Sequence, residues 1–250
     1  MTVHEYFNKH SNVAIAFSGG VDSAVLLALA KRHAKAVKAY YVKSPFQPQF
    51  ELDDAIDIAR RLDVELEVMA LDILTDSKIA ANPANRCYYC KNRIFNAICA
   101  AAARDGFAFV CDGTNASDDV ADRPGFKALG ELGVLSPLRE CGYTKAMIRN
   151  LAREYGLPVA DKASYACLAT RIPTGVAITA DVLAKTEKAE DELRKMGFVN
   201  FRVRYLDGAA RLELSARDFE LFYAKKDSVF AALSPHYNGV YLDLKERADE

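Results

Sequence analysis

The stretch "NRCYYCK" (Asn85–Lys91) sets Cys87 and Cys90 three residues apart, flanked by Arg86 and Lys91. Thiols at this spacing serve as zinc ligands, as a redox pair, as part of a cluster site or as sulfur donors. Zinc would take a fourth Cys or His near Cys87, Cys90 and the downstream Cys167. His4, His10, His33 and His236 show no ligand-like spacing to these. A thioredoxin-type pair requires a different flanking fold. Both cysteines are also compatible with ordinary residues at a helix start. Arg86 and Lys91 would lower a thiol's pKa or steady a phosphate, unless they are solvated surface charge. Cys99 on an Ala-rich helix face and Cys111 at a strand end suit core packing, and Cys141 in "RECGYTK" is assigned no role.

The chemistry of the thiols depends on what the chain does with phosphate. In "AFSGGVDSAVLL" a strand ends at Phe17, Ser18-Gly19-Gly20 turn the chain, and a helix starts near Asp22-Ser23. Glycines permit left-handed torsions and close ligand approach, so N–H groups can converge on an anion beside the positive end of the helix. A pyrophosphate fits such a nest. No Gly-Lys-Ser/Thr follows, so this is not a Walker loop, and G-x-G-x-x-G is absent. Taken alone, the stretch also suits a plain strand-to-helix turn with Asp22 as its capping carboxylate.

Four further groups belong to the same reading. "DGTNASDD" follows a strand, which puts Asp112, Thr114, Asn115 and Asp118 at the carboxyl edge of a sheet, where open α/β folds bind ligands. They would contact nucleotide or Mg²⁺, or serve as Asx-turn and capping groups. Arg123 and Lys127 in "RPGFKAL" are anion-site candidates, as is Arg171, four residues beyond Cys167. "FRVRY" places Arg202 and Arg204 on one strand face, suited to the phosphate of a nucleotide substrate. The alternative for that strand is a solvated edge.

The elements that must carry these groups alternate. "NVAIAF", "AVKAYYV", "ELEVMAL", "FAFVCDGT" and "GVLSPL" (Gly133–Leu138) read as five strands. Between them run helix-like stretches, among them "FELDDAIDIARRLD" with Ala55, Ile58, Ala59 and Leu62 on one face, and "NRIFNAICAAAARDG", ended by Gly106. "TKAMIRNLAREYGLP" follows as a helix stopped by Gly156 and Pro158. Such alternation predicts a doubly wound, mostly parallel sheet. The character changes near Ser164–Gly175, into a charged helix "ADVLAKTEKAEDELRKMG" and a hairpin "FRVRYLDGAARLEL" turning at Asp207-Gly208. The expected organisation is an α/β domain over residues 1–165 and a smaller α+β domain over 166–250.

The loop "SGGVDS" closely resembles the Ser-Gly-Gly-x-Asp-Ser motif of the PP-loop ATP pyrophosphatase superfamily, whose fold is adenine nucleotide α-hydrolase-like. The resemblance implies ATP cleavage between the α and β phosphates. Ser18, Gly19, Gly20, Val21, Asp22 and Ser23 would cradle pyrophosphate, with Mg²⁺ held partly by Asp22. "RCYYCKNRIF", "CDGTNASDD", "RPGFKALGELGVLSPL", "TKAMIRNLAREYGLP" and "ACLATRIPTG" together resemble the LarE family, over about Phe17 to Glu213. That family is implied to install sulfur in the nickel-pincer nucleotide cofactor of lactate racemase. A carboxylate of pyridinium-3,5-biscarboxylic acid mononucleotide is adenylated, and sulfur replaces the acyl oxygen in two rounds. Cys167 occupies the position at which some members sacrifice a cysteine sulfur and keep dehydroalanine. With Cys87 and Cys90 it makes the three-cysteine variant implied for part of the family. Three thiolates would hold a 4Fe–4S cluster whose fourth iron stays open for an extra sulfide. Sulfur delivery would then be catalytic, fed by a sulfide source. Glu190 and Glu213, with Asp118 and loosely Asp218, resemble acidic positions for a divalent cation. A homo-oligomer, a hexamer built as a trimer of dimers, is also implied.

Composition bounds the rivals. The 250 residues carry Lys+Arg 33 against Asp+Glu 34 and 51% hydrophobic residues. A balance near zero argues against a nucleic-acid binder, and so against a tRNA thiolase of the same superfamily. An ammonia-using amidating enzyme would have no use for Cys167, and a nucleotide sensor would bind ATP without cleaving it. No apolar run approaches a membrane span, and "MTVHEYFNKHSN" lacks a signal-peptide core, so the expected location is the cytoplasm.

Overall fold

The computed structural model describes residues 1–119 and 124–248; the anion candidate Arg123 lies outside them. The chain divides into two compact units, one formed by Met1–Ile73 with Asn85–Lys162, the other by Leu74–Ala84 with Ala163 onward.

In the first unit a short helix, α1 (Val3–Lys9), leads into β1 (Asn12–Ala16), α2 (Val21–His33), β2 (Ala36–Lys43), α3 (Gln49–Arg61) and β3 (Leu66–Ala70). After an excursion through α4 (Ser77–Ala80) in the second unit, the chain returns as α5 (Arg86–Arg104) and β4 (Phe109–Cys111). α6 (Pro124–Glu131), α7 (Pro137–Glu140) and α8 (Lys145–Glu154) complete the unit. The strands pair in the order β3-β2-β1-β4, all parallel. Both faces are covered, which explains the near-continuous apolar runs. Val13, Ile15, Ala39 and Tyr41 pack into the core on one face. Ala14, Tyr40, Val42 and Val110 pack on the other, against Phe95 and Ile98 of α5. The expected fifth strand does not form. Leu135 makes a single bridge to Cys111, and two residues on Pro137 opens α7. Proline has no N–H to donate to a ladder.

Strand order reverses direction at β1. The chain steps outward through β2 and β3, then returns to β4 on the other side. At such a switch point the loops leaving the two central strands diverge and open a crevice at the carboxyl edge. The loops leaving β1 and β4 here are "SGGVDS" and "DGTNASDD".

The second unit contains α9 (Ala180–Lys195), β5 (Phe201–Leu206), β6 (Ala209–Leu214), α10 (Ala216–Leu233) and β7 (Val240–Leu242). β5 and β6 form the expected hairpin, paired Leu206 to Ala209. Asp207 (φ 46) and Gly208 (φ 82) supply the two left-handed torsions of its two-residue turn. A single boundary near Ser164–Gly175 does not describe the chain, because Leu74–Ala84 folds with the second unit. Fully buried Asn82 donates to the carbonyls of Ile172 (3.3 Å), Pro173 (2.8 Å) and Val176 (3.1 Å), and Gly175 N donates back to the Asn82 carbonyl at 2.8 Å.

Candidate active site

The loop after β1 is held by its own serines. Ser18 and Ser23 Oγ lie 3.1 Å apart, Ser18 N donates to Ser23 Oγ at 3.3 Å, and Ser23 Oγ donates to the Gly20 carbonyl at 3.1 Å. Gly19 is left-handed (φ +76), and a Cβ there would sit 3.0 Å from the Glu51 carbonyl oxygen and 3.1 Å from Ala55 Cβ. Gly19→Ala therefore combines torsional strain with a collision against α3, and about 1–3 kcal/mol of strain is expected at the loop. The expected outcome is a weaker ATP affinity, by about tenfold or more, read by calorimetric titration. Val21 contributes backbone only, since its side chain is core.

Around this loop lies a cavity of ≈ 500 Å³. Ser18, Gly20, Asp22 and Ser23 form one wall, and Asp112, Gly113, Thr114 and Asp118 a second. Cys87, Lys91 and Phe95 of α5 close it from one side, with Pro124, Gly125 and Phe126 of α6. The two loops meet closely. A Cβ on Gly113 would be 3.0 Å from Ser23 N, so the DGTN segment must approach the start of α2 with no side chain at that position. Gly125 likewise packs on the Lys91 stem, where a Cβ would meet Cδ at 2.9 Å.

The carboxylates are held in place. Asp112 accepts from Ser136 Oγ at 2.7 Å and from Thr114 Oγ1 at 2.5 Å. Asp118 accepts from Asn115 N at 3.0 Å. Asp22 accepts from Asn115 Nδ2 at 3.2 Å and from Lys145 Nζ at 2.6 Å. Lys145, at the start of α8, is a functional candidate that the sequence reading did not single out, although it quoted the motif "TKAMIR". It stands 123 residues from Asp22, and no local pattern announces such a pair. Arg139, which donates to the carbonyls of Asn115 (3.4 Å) and Asp118 (2.9 Å), was missed for the same reason. Lys127 is an exposed surface group near Glu131.

The CxxC pair occupies the first turn of α5, which begins at Arg86. At i and i+3 the two residues share one helix face. Cys87 is exposed at the cavity, Cys90 is half-buried, and the six cysteines carry no disulfide. Arg86, nearly buried, lies over the Phe46 ring at 5.8 Å, with Nη2 4.0 Å from Cys87 Sγ. Burial pushes the remaining thiols of this unit, Cys99, Cys111 and Cys141, up.

In the second unit Cys167 caps a short 3₁₀ turn, Leu168–Arg171, and is half-exposed. Arg171 and Glu190 are buried as a bidentate pair, at 2.7 and 3.0 Å. Burial alone would raise the Glu190 carboxyl, but Arg171, the Tyr165 hydroxyl (2.6 Å) and Val203 N (3.0 Å) bring it below its ordinary value. Those four donors take the lone pairs a divalent cation would need, so the expected cation role of Glu190 is not what this geometry supplies. Glu213 is likewise engaged by Arg204, Arg211 and Arg247. Asp218 accepts from Val199 N, Asn200 N and Ser215 Oγ, and so fixes the loop before β5. Arg202 is held at about 10 by burial and by the neighbouring charges of Arg171 and Arg247. Among the described residues no three His, Cys, Asp or Glu side chains converge on one point. Mg²⁺ needs no such set, since it takes one or two carboxylates together with phosphate oxygens.

The family model of the queuosine biosynthesis protein QueC matches residues 12–87, from β1 through the loop to Cys87. Pyridinium-3,5-bisthiocarboxylic acid mononucleotide synthase of Lactiplantibacillus plantarum is 35% identical over 93% of this chain and 85% of its own. The chain belongs to the LarE family. A Synechocystis protein is 34% identical over 88% of this LarE-family chain and 82% of its own length. Argininosuccinate synthase of Haloarcula marismortui matches more narrowly, at 30% identity over 60% of this chain and 38% of its own. The LarE-family chain is accordingly an ATP-using enzyme of the PP-loop class. Among the described residues no helix is long and apolar enough to cross a membrane.

Proposed function

We propose that this protein is an ATP-dependent sulfurtransferase of cofactor biosynthesis that converts the carboxylates of a pyridinium mononucleotide into thiocarboxylates. The observation that carries the reading is the presence of the Cys87 thiol in the wall of the same cavity as the phosphate loop. A nucleotide sensor or an ammonia-using enzyme has no use for a thiol there.

In the first step a substrate carboxylate oxygen attacks the α-phosphorus of ATP. The bond to the bridging oxygen breaks, and pyrophosphate leaves as the acyl adenylate forms. The loop N–H groups and the start of α2 stabilise the departing charge, and Lys145 stands across Asp22 to receive it. Asp22 and Asp118 would hold Mg²⁺, which would offset phosphate charge. In the second step hydrosulfide attacks the acyl carbon, AMP leaves with the former carboxylate oxygen, and the proton passes to solvent.

By resemblance to the three-cysteine members of the family, Cys87, Cys90 and Cys167 would be the thiolates that hold a 4Fe–4S cluster. Such a cluster would supply exchangeable sulfide. A sulfide source, a homo-oligomeric assembly, hexameric by resemblance, and a cytoplasmic setting complete the reading.

The test is pyrophosphate release from ATP with and without pyridinium-3,5-biscarboxylic acid mononucleotide. The expected result is release that requires the dicarboxylate and a matching amount of AMP. Release with tRNA but not with the dicarboxylate would transfer the protein to the tRNA thiolases.

A further inference from the structure

Arg171, Arg202 and Arg204 are the anion candidates of the second unit, and each is already engaged by the protein's own backbone. Arg202 Nη2 donates to the Ser164 carbonyl at 2.8 Å. Arg171 Nη1 donates to the Ala166 carbonyl at 2.8 Å and, at 3.5 Å, to that of Cys167. Arg204 Nη1 donates to the Thr170 carbonyl at 2.5 Å. Thr170 Oγ1 accepts from Arg171 Nη1 at 2.9 Å and donates to the Cys167 carbonyl at 2.8 Å. All these carbonyls belong to one stretch, Ser164 to Thr170, with Cys167 at its centre.

We propose that Arg171, Arg202 and Arg204 form a carbonyl clamp that fixes the loop bearing Cys167, and so act as positioning residues for its sulfur. The proposal rests on the reading that Cys167 takes part in sulfur transfer. A seven-residue loop without strand or α-helix has carbonyls that no ladder satisfies, so side-chain donors decide how firmly it is held. A planar guanidinium can hold a carboxylate with one edge and carbonyls with the other, which a lysine cannot do. Arg171 does both. Glu190 fixes one edge, the Tyr165 ring stacks 4.5 Å from its Cζ, and its side chain is fully buried. Arg202 stacks on the same ring at 5.1 Å.

The clamp is tested by alkylating the purified protein under anaerobic conditions. The Cys167 rate is read by peptide mass spectrometry against Cys99 and Cys141, together with amide exchange across the 164–171 segment. Arg171→Lys keeps the charge facing Glu190 but loses the carbonyl contacts. It is expected to speed Cys167 alkylation about tenfold, the scale of a lost charge-assisted hydrogen bond, with faster exchange in 164–171 and unchanged Cys99 and Cys141. Should Arg171→Lys fail to fold, Arg204→Lys, at a partly exposed position, decides the matter with a smaller rise of about threefold. Unchanged Cys167 alkylation and exchange in a folded variant overturns the clamp. So does a wild-type Cys167 rate that inorganic phosphate slows, if Arg204→Lys abolishes this slowing without altering the phosphate-free rate. No ATP chemistry enters these measurements. A protein with clamp-dependent Cys167 reactivity but no sulfur transfer would refute only the functional reading.

Discussion

Asp22→Asn is expected to lower the rate of acceptor-dependent pyrophosphate release by about 10²–10³-fold, the range for removing one electrostatic partner of a developing charge, with the KM for ATP unchanged or lowered. The split follows from the geometry. Asp22 faces the cavity with its oxygens on Lys145 and Asn115. Removing its charge leaves the Lys145 ammonium unneutralised behind the Asp22 wall of the cavity, where it attracts triphosphate more strongly, so ground-state binding does not suffer. What is lost is a metal ligand and the partner that fixes where the ammonium points, and both matter as charge moves onto the leaving group. Lys145→Met should act in the opposite sense, raising KM as well as lowering kcat. Because each residue positions the other, the double variant should fall well short of the product of the two single losses. Steady-state pyrophosphate release and ATP titration on the four proteins of this cycle settle it. If Asp22→Asn raises the KM for ATP and leaves kcat intact, Asp22 serves ground-state binding alone, and the reading of the loop as a catalytic cradle fails.

The parts of this site that were legible in the sequence are those encoded locally. The turn after β1 is six consecutive residues whose types already state left-handed torsion, free N–H groups and a carboxylate. The Asp207-Gly208 hairpin is likewise encoded by its two turn residues. Alternation of apolar strand and amphipathic helix gave the parallel sheet, because strands covered on both faces carry continuous apolar runs. Gly133–Leu138 misled for the same reason, since apolar residues beside a single bridge look like a strand until Pro137 ends them. The pairings between distant segments were not legible. Lys145 with Asp22, Arg171 with Glu190, and Asn82 with Pro173 depend on tertiary approach, which no local pattern states. α10 and β7 were also missed. The aromatic and charged residues in "RDFELFYAKKDSVFAAL" follow no clean helical stripe, and β7 is too short for a period to show.

Cys167→Ala is expected to abolish thiocarboxylate formation while leaving acceptor-dependent pyrophosphate release within about threefold of wild type, because the thiol is not a group on which triphosphate charge develops. The comparison with Cys87→Ala and Cys90→Ala then identifies the sulfur. Three-thiolate ligation makes the three variants alike. Each should lose the brown colour and the roughly four iron per chain of anaerobically purified wild type, and each should give no sulfurated product from added sulfide. Sacrificial donation makes them unlike. Cys87→Ala and Cys90→Ala would still yield product in a single turnover, iron-free, while Cys167 loses the elements of hydrogen sulfide and remains as dehydroalanine in the peptide mass spectrum. The position of Cys87 sharpens the contrast. Its side chain reaches the nucleotide cavity from the first turn of α5, so ATP should protect it from alkylation whichever mechanism operates. A colourless wild type that turns over repeatedly on added sulfide and never accumulates dehydroalanine would exclude both routes. Sulfide would then attack the acyl adenylate directly, with the three cysteines serving only to shape its path.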